Sequence, residues 1–167
     1  MEFDQLLSAV ETALTPLVAA QGGVLEVAES LEEARVMLEA APRRWRLILH
    51  WEGFGEHPEA RHGMTVHQVA TVIQAPRGLG HKPSPIAAPA NQPKAFSYYV
   101  KLVNGWMGAL RFPDGTGADP AGFAPAGSQW IETVQHFSAH AISWKLDAAL
   151  PAFGETIPLV FPHLTPP

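Results

Sequence analysis

The chain has 167 residues, of which 47% are apolar and 16% charged, with 5 Trp, 8 Phe, no Cys and a formal net charge of −5. That length builds one ordinary domain with a sizeable core and leaves too little chain for a second. The lack of cysteine excludes disulfides, a thiolate nucleophile, a Cys-ligated metal and the stapled secreted scaffold, and the acidic balance argues against a general nucleic-acid binder, which needs basic excess to displace phosphate counterions.

The amino end is acidic rather than basic and no apolar run is long enough to span a bilayer, so neither a signal peptide nor a membrane span is expected. Residues 3–20 read as a helix, with Phe3, Leu6, Leu7, Val10, Leu14 and Leu17 on one face and Glu11 and Thr12 opposite. Pro16 should kink its last turn or mark a restart capped by Thr15. Gln21-Gly22-Gly23 supplies the stop. Val24 to Ala28 is a short strand. Ser30 then caps a second helix, with Glu33 completing an S-x-x-E capping box. Its inner face is read as Leu31, Ala34, Leu38 and Ala41, and its outer face carries the pairs Glu32–Arg35 and Arg35–Glu39. Pro42 ends it.

The stretch from Arg44 to Gln74 is the centre of the sheet. Trp45, Leu47, Leu49 and Trp51 alternate with Arg44, Arg46, Ile48 and His50, the period of a strand. A second strand, Met64 to Ile73, carries Val66, Val69, Val72 and Ile73, and its apolar phase slips near Gln68 to Ala70, where a bulge is expected. Residues 52–63 between them read as a solvent-exposed loop. The proline-rich segment 75–95 is either an arm lying on a neighbour or a flexible excursion. Phe96 to Leu110 is the clearest helix, with Tyr99, Leu102, Val103, Trp106, Met107 and Leu110 in one stripe. Gly105 and Gly108 inside it imply a shorter helix or a close backbone approach. Residues 112–128 read as a Gly/Pro/Asp loop. Trp130–Phe137 and Ala139–Leu146 read as two strands, or as one long strand disturbed near Ser138, with a helix over 129–149 as the competitor. The tail from Pro151 is proline-rich, and Ile157–Phe161 either adds an edge strand or lies on a neighbouring surface.

Few residues invite chemistry. There is no phosphate loop, dinucleotide fingerprint, H-E-x-x-H or nucleophile elbow. His57, His62 and His67 are spaced by five and do not converge as zinc ligands on one element. Asp114 to Asp119 lacks the remaining acids of a calcium loop. Glu52, Glu56 and Glu59 read as a solvated face. His136, Ser138 and His140 would share a strand face, which is the basis of a small-hydrolase alternative, but no acidic orienter accompanies them. Arg43, Arg44 and Arg46 cluster at one strand start, where they either touch phosphate or an acidic partner or form the solvent side of the strand. No catalytic, cofactor-binding or metal residues, and no cofactor, are assigned.

The order of elements is FDQLLSAVETALTPLV, a short strand, SLEEARVML, then RRWRLILHWEGF, TVHQVATVIQAP, YYVKLVNGWMGAL and WIETVQHFSAHAISWKL. It resembles the tail terminator, or tail-completion, proteins of long-tailed bacteriophages over nearly the whole chain. The resemblance implies a single α+β domain over 1–150, with a central, mostly antiparallel sheet flanked by helices. Residues 151–167 are then a proline-rich C-terminal extension. It puts the strands of 44–51 and 64–74 beneath the 96–110 helix, and makes 52–63 and 75–95 contact segments. It also implies a non-enzymatic virion protein, assembled in the host cytoplasm as a homohexameric ring. Such a ring stops the tail tube protein from polymerising and joins the tail to the head–tail connector protein, while DNA passes through its channel without specific binding. The rival of the same class is another tail or neck connector component. Low charge and many aromatics fit repeated subunit interfaces as well as an aromatic core.

Overall fold

The apolar stripe of residues 3–20 is one continuous helix, α1 (Phe3–Ala20), in the computed structural model, which describes residues 3–40, 43–56, 64–76, 96–112, 121–134 and 137–149. Leu6, Val10, Leu14 and Val18 are fully buried on its inner side. Pro16 neither ends nor restarts it. A proline this close to the C-terminus removes only the one ladder bond to the Thr12 carbonyl. The stop comes from glycine: Gly22 has φ 72°, its N–H donates to the Ala19 carbonyl at 2.9 Å, and the Gly23 N–H donates to Val18 at 3.0 Å. Those two bonds make a Schellman motif.

β1 (Val24–Ala28) leads through Ser30 into α2 (Leu31–Glu39). The capping box forms, with a shift of one residue: the Ser30 hydroxyl accepts from the Glu33 N–H at 3.1 Å, and the Glu33 carboxylate accepts from the Glu29 N–H at 2.7 Å. Ala34 and Leu38 are buried as expected, but Leu31 is 56% exposed, because nothing among the described residues covers the first turn. Ala41 and Pro42 lie outside the described residues. The expected Glu32–Arg35 and Arg35–Glu39 pairs are not formed; among the described residues the ion pair is Arg46–Glu26, at 3.0 Å.

β2 (Arg46–Glu56) and β3 (Met64–Pro76) pair antiparallel as the sheet's centre. Two sequence expectations are corrected here. β2 runs four residues past Glu52 into the stretch read as a loop. The bulge lies at the anticipated place in the ladder but on the other strand, between Trp51 and Gly53, opposite Val69 and Gln68. Gly53, at φ 131°, takes the conformation a side chain would resist. The slip in apolar phase on β3 has a different cause: both its faces are buried, Val69 and Ile73 on one side and Ala70 and Val72 on the other.

α3 (Phe96–Ala109), β4 (Arg111–Phe112), β5 (Ala121–Val134) and β6 (Phe137–Ala149) complete the chain. Residues 129–134 and 137–149 are therefore strands, not a helix. The break falls before Phe137 and Ser138 lies inside β6. Much of the expected 112–128 loop is strand as well. Pairing with β6 overrides the low strand propensity of AGFAPAGS, and the ladder bulges between Pro125 and Gly127. α3 spans its expected length, and no other element among the described residues comes within 4 Å of where a Cβ would stand on Gly105 or Gly108, so no close backbone contact there explains them.

The fold is a single α+β domain. Its sheet runs β1-β2-β3-β6-β5, with the two-residue β4 hooked onto the outer end; β1 is parallel to β2 and every other pair is antiparallel. One face carries α1 and α3 over Leu47, Leu49, Val69, Ile73, Ile142, Trp144 and Leu146. The other carries α2 over Ile48, Val72, Phe137 and Ala139.

Trp45 and Arg46, adjacent where β2 begins, fasten the two layers. The Trp45 ring stacks on Tyr99 of α3 (centroids 4.6 Å apart), and its indole N–H donates to the Gln21 carbonyl at 2.9 Å. Arg46 turns the other way. Its guanidinium donates to Glu26, to Gln74 at 2.6 Å, and to the Met37 and Ala40 carbonyls at the end of α2.

Two opposite shifts in chemical-denaturation midpoint are expected. Gly105→Ala stabilises by about 1 kcal/mol, since the site is an exposed helix interior with room for a methyl. Gly23→Ala destabilises by about 1–3 kcal/mol, because the new Cβ would sit 2.4 Å from the Trp45 ring. Arg46→Met should cost about 2–3 kcal/mol, as it leaves Glu26 and the α2 carbonyls without their cation.

Candidate functional site

Alternation along β6 sends Phe137, Ala139 and Ala141 toward α2, and His140, Ile142, Trp144 and Leu146 toward α1 and α3. His140, Ile142 and Trp144 of the second set floor a groove of about 540 Å³ between α3 and the outer strands. Asn104 and Gly108 form its helix side; Phe123, Pro125, Gly127 and Ser128 of β5 form its outer wall; His140, Ile142 and Trp144 lie at its base. Trp144 is held in place by its indole N–H, which donates to the Thr71 hydroxyl at 2.8 Å. The groove is mainly apolar, with three polar groups: Asn104, Ser128 and His140. The Asn104 side-chain oxygen is buried there with no hydrogen-bond partner among the described residues.

Sequence reasoning found His140 but not the groove. α3 and β5 are separated from it by residues whose convergence only the sheet order decides. Ser138 and His140 are both buried, with 8% of their surface exposed, while His136 lies outside the described residues. No carboxylate is among the described residues lining the groove, so the acid that would orient a Ser–His pair is not brought there. Burial pushes the His140 pKa down, disfavouring the imidazolium.

The other candidates disperse. His67 is buried against Trp51, whose indole N–H donates to its Nδ1 at 3.3 Å, and burial lowers its pKa as well. His57, His62, Asp114, Asp119 and Glu59 lie outside the described residues, and the side chain of Glu56 is not described. Among the described residues no three His, Asp or Glu side chains gather as metal ligands. Glu52 is exposed and accepts from the Ser143 hydroxyl at 3.0 Å across the sheet. Arg43 and Arg44 face solvent, whereas Arg46 is committed to the end of α2 and to Glu26. The arginine cluster therefore divides into one structural and two surface residues.

Compared with known proteins, the chain matches no protein-family model and no curated sequence.

Both buried histidines make stability depend on pH. Their folded-state pKa lies below the ordinary 6.5, so the unfolded chain takes up protons first as pH falls. Stability is complete above that value and is lost as pH drops through it toward the lowered native pKa values. Thermal melting at about pH 5 should lie below that at about pH 7.5, and His67→Gln should shrink the difference.

Proposed function

We propose that this protein is a virion structural component that acts by assembly, forming a ring of identical subunits at the end of a bacteriophage tail tube. The observation that carries this reading is the arrangement of elements. A helix–strand–helix unit leads into a long antiparallel pair, β2 and β3, at the centre of a mostly antiparallel sheet, and α3 and the β5–β6 pair follow. That is the layout the resemblance to tail terminator proteins implies. A likeness of architecture is an analogy about function, because folds host many activities.

The surface supports the same reading. The large exposed apolar side chains of the described residues, Val24, Leu31 and Val36, all belong to β1 and α2, whereas the apolar groove lies beside β5 at the far side of the sheet. A subunit whose sticky side differs from its receiving side associates through heterologous contacts, which close into a ring when the rotation permits. In this role the ring stops tube growth and joins the tube to the head–tail connector, with DNA passing through a channel that does not grip it. A different neck component would share the ring but not the tube end.

Mass photometry of the purified chain, alone and mixed with polymerised tail tubes, tests the proposal. The expected result is a six-copy species of about 108 kDa from the 18.0 kDa chain, co-sedimenting with tubes at their ends. A particle that stays monomeric in both samples refutes it.

A further inference from the structure

The sheet has two unlike borders. At one, β1 pairs with β2 on its inner side, and no strand among the described residues pairs on its outer side. At the other, β4 covers β5 only at Ala121 and Gly122, and beyond these no strand among the described residues lies outside β5. Unpaired N–H and C=O groups on a strand edge are a template for another strand, and edges that must stay single are guarded by Lys, Pro, bulges or inward charges.

β1 carries none of these guards. Its sequence is Val-Leu-Glu-Val-Ala, its pairing is unbroken, and its one charge, Glu26, is already neutralised by Arg46 at 3.0 Å. β5 is guarded at two points only. Its ladder is irregular between Pro125 and Gly127 and again between Ile131 and Val134, which leaves Gly127–Ile131 as a regular run of five residues. β1 is also five residues long. The start of that run is approached over Ala124, Pro125, Ala126, Gly127 and Ser128, all exposed. The apolar groove opens beside it, and the exposed Val24 and Leu31 stand at the two ends of the β1 segment.

We propose that β1 of one copy adds to the Gly127–Ile131 run of β5 in the next copy, so that the sheet continues from subunit to subunit around the ring. This rests on the ring reading above and adds to it the surface that closes the ring. The occupant is a second copy of this chain because one molecule offers both halves of the joint: an unguarded five-residue edge flanked by apolar side chains, and a five-residue opening beside an apolar groove. The two halves sit at opposite borders of one rigid sheet, so a single molecule cannot satisfy them together, whereas a repeating contact can.

The natural absence of cysteine makes the test clean. Rotation about a ring axis keeps strand direction, so β1 meets β5 antiparallel and its C-terminal end faces Gly127. Glu29→Cys, just past β1, is therefore combined in turn with Ala126→Cys, Gly127→Cys and Ser128→Cys in the full chain, covering both sides of the ladder; all four positions are exposed. Circular dichroism and melting temperature first establish that each variant folds like the parent. Under mild oxidation at least one double variant should give a ladder of covalent multimers up to the ring on a non-reducing gel. The ladder should collapse on reduction and be absent from every single-cysteine variant. A ring-sized particle that yields no cross-link at any of the three pairings overturns the edge contact while the ring reading stands. Cross-linked dimers from Glu29→Cys alone also overturn it, since they mean that β1 meets β1. A monomeric mass with and without tube ends overturns both.

Discussion

The start of β2 is where the two layers of the molecule are held to the sheet. Trp45 and Arg46 follow one another in the chain, and strand geometry points them to opposite faces. On one side the indole stacks against Tyr99 and bonds the carbonyl that closes α1, so the end of α1 and the first turn of α3 share one support. Tyr98 adds a second tie, its hydroxyl donating to Gln21 at 3.1 Å. On the other side the Arg46 guanidinium lies under the end of α2, where unsatisfied carbonyls carry the negative end of the helix dipole. Gln74 of β3 completes the arrangement, accepting from Arg46 and donating to the Leu38 carbonyl at 3.1 Å. A fully buried glutamine with both ends bonded satisfies groups that burial would otherwise make costly.

That anchoring explains why the two sides of the molecule differ. Helices α1 and α2 are fixed around β1 and β2, near the strand start that holds them, and α2 is short enough to leave Leu31 and Val36 in solvent. At the far border α3 is the helix that covers β5 and β6 on the groove face among the described residues, and it stands off enough to leave the groove over Ile142 and Trp144. The polar residues there, Asn104, Ser128 and His140, come from three elements and no acid joins them among the described lining residues.

The candidate site was only partly legible in the sequence. His140 is legible as sharing a strand face with His136 and Ser138, yet its setting depends on Asn104 and Phe123, which no local pattern links to it. Arg46 looked like its neighbours Arg43 and Arg44, and only the third dimension separates a helix-capping guanidinium from two solvated ones. The groove had no sequence signal of its own, since a cavity is defined by what several elements leave unfilled.

Wherever a single periodicity or cap decided the outcome, the chain alone sufficed: the stripe of α1 with its Gly22–Gly23 stop, the Ser30–Glu33 cap, the five residues of β1, and the stripe of α3. These signals are local because the hydrogen bonds they reflect close within one turn or one strand. Tertiary pairing decided the rest. It drew Gly53 to Glu56 and the Pro- and Gly-rich start of β5 into the sheet, moved the bulge from β3 to β2, and settled 137–149 as strand over helix. In a sheet the partner's ladder supplies the missing stability, so residues of poor intrinsic preference become strand when a long neighbour such as β6 lies beside them.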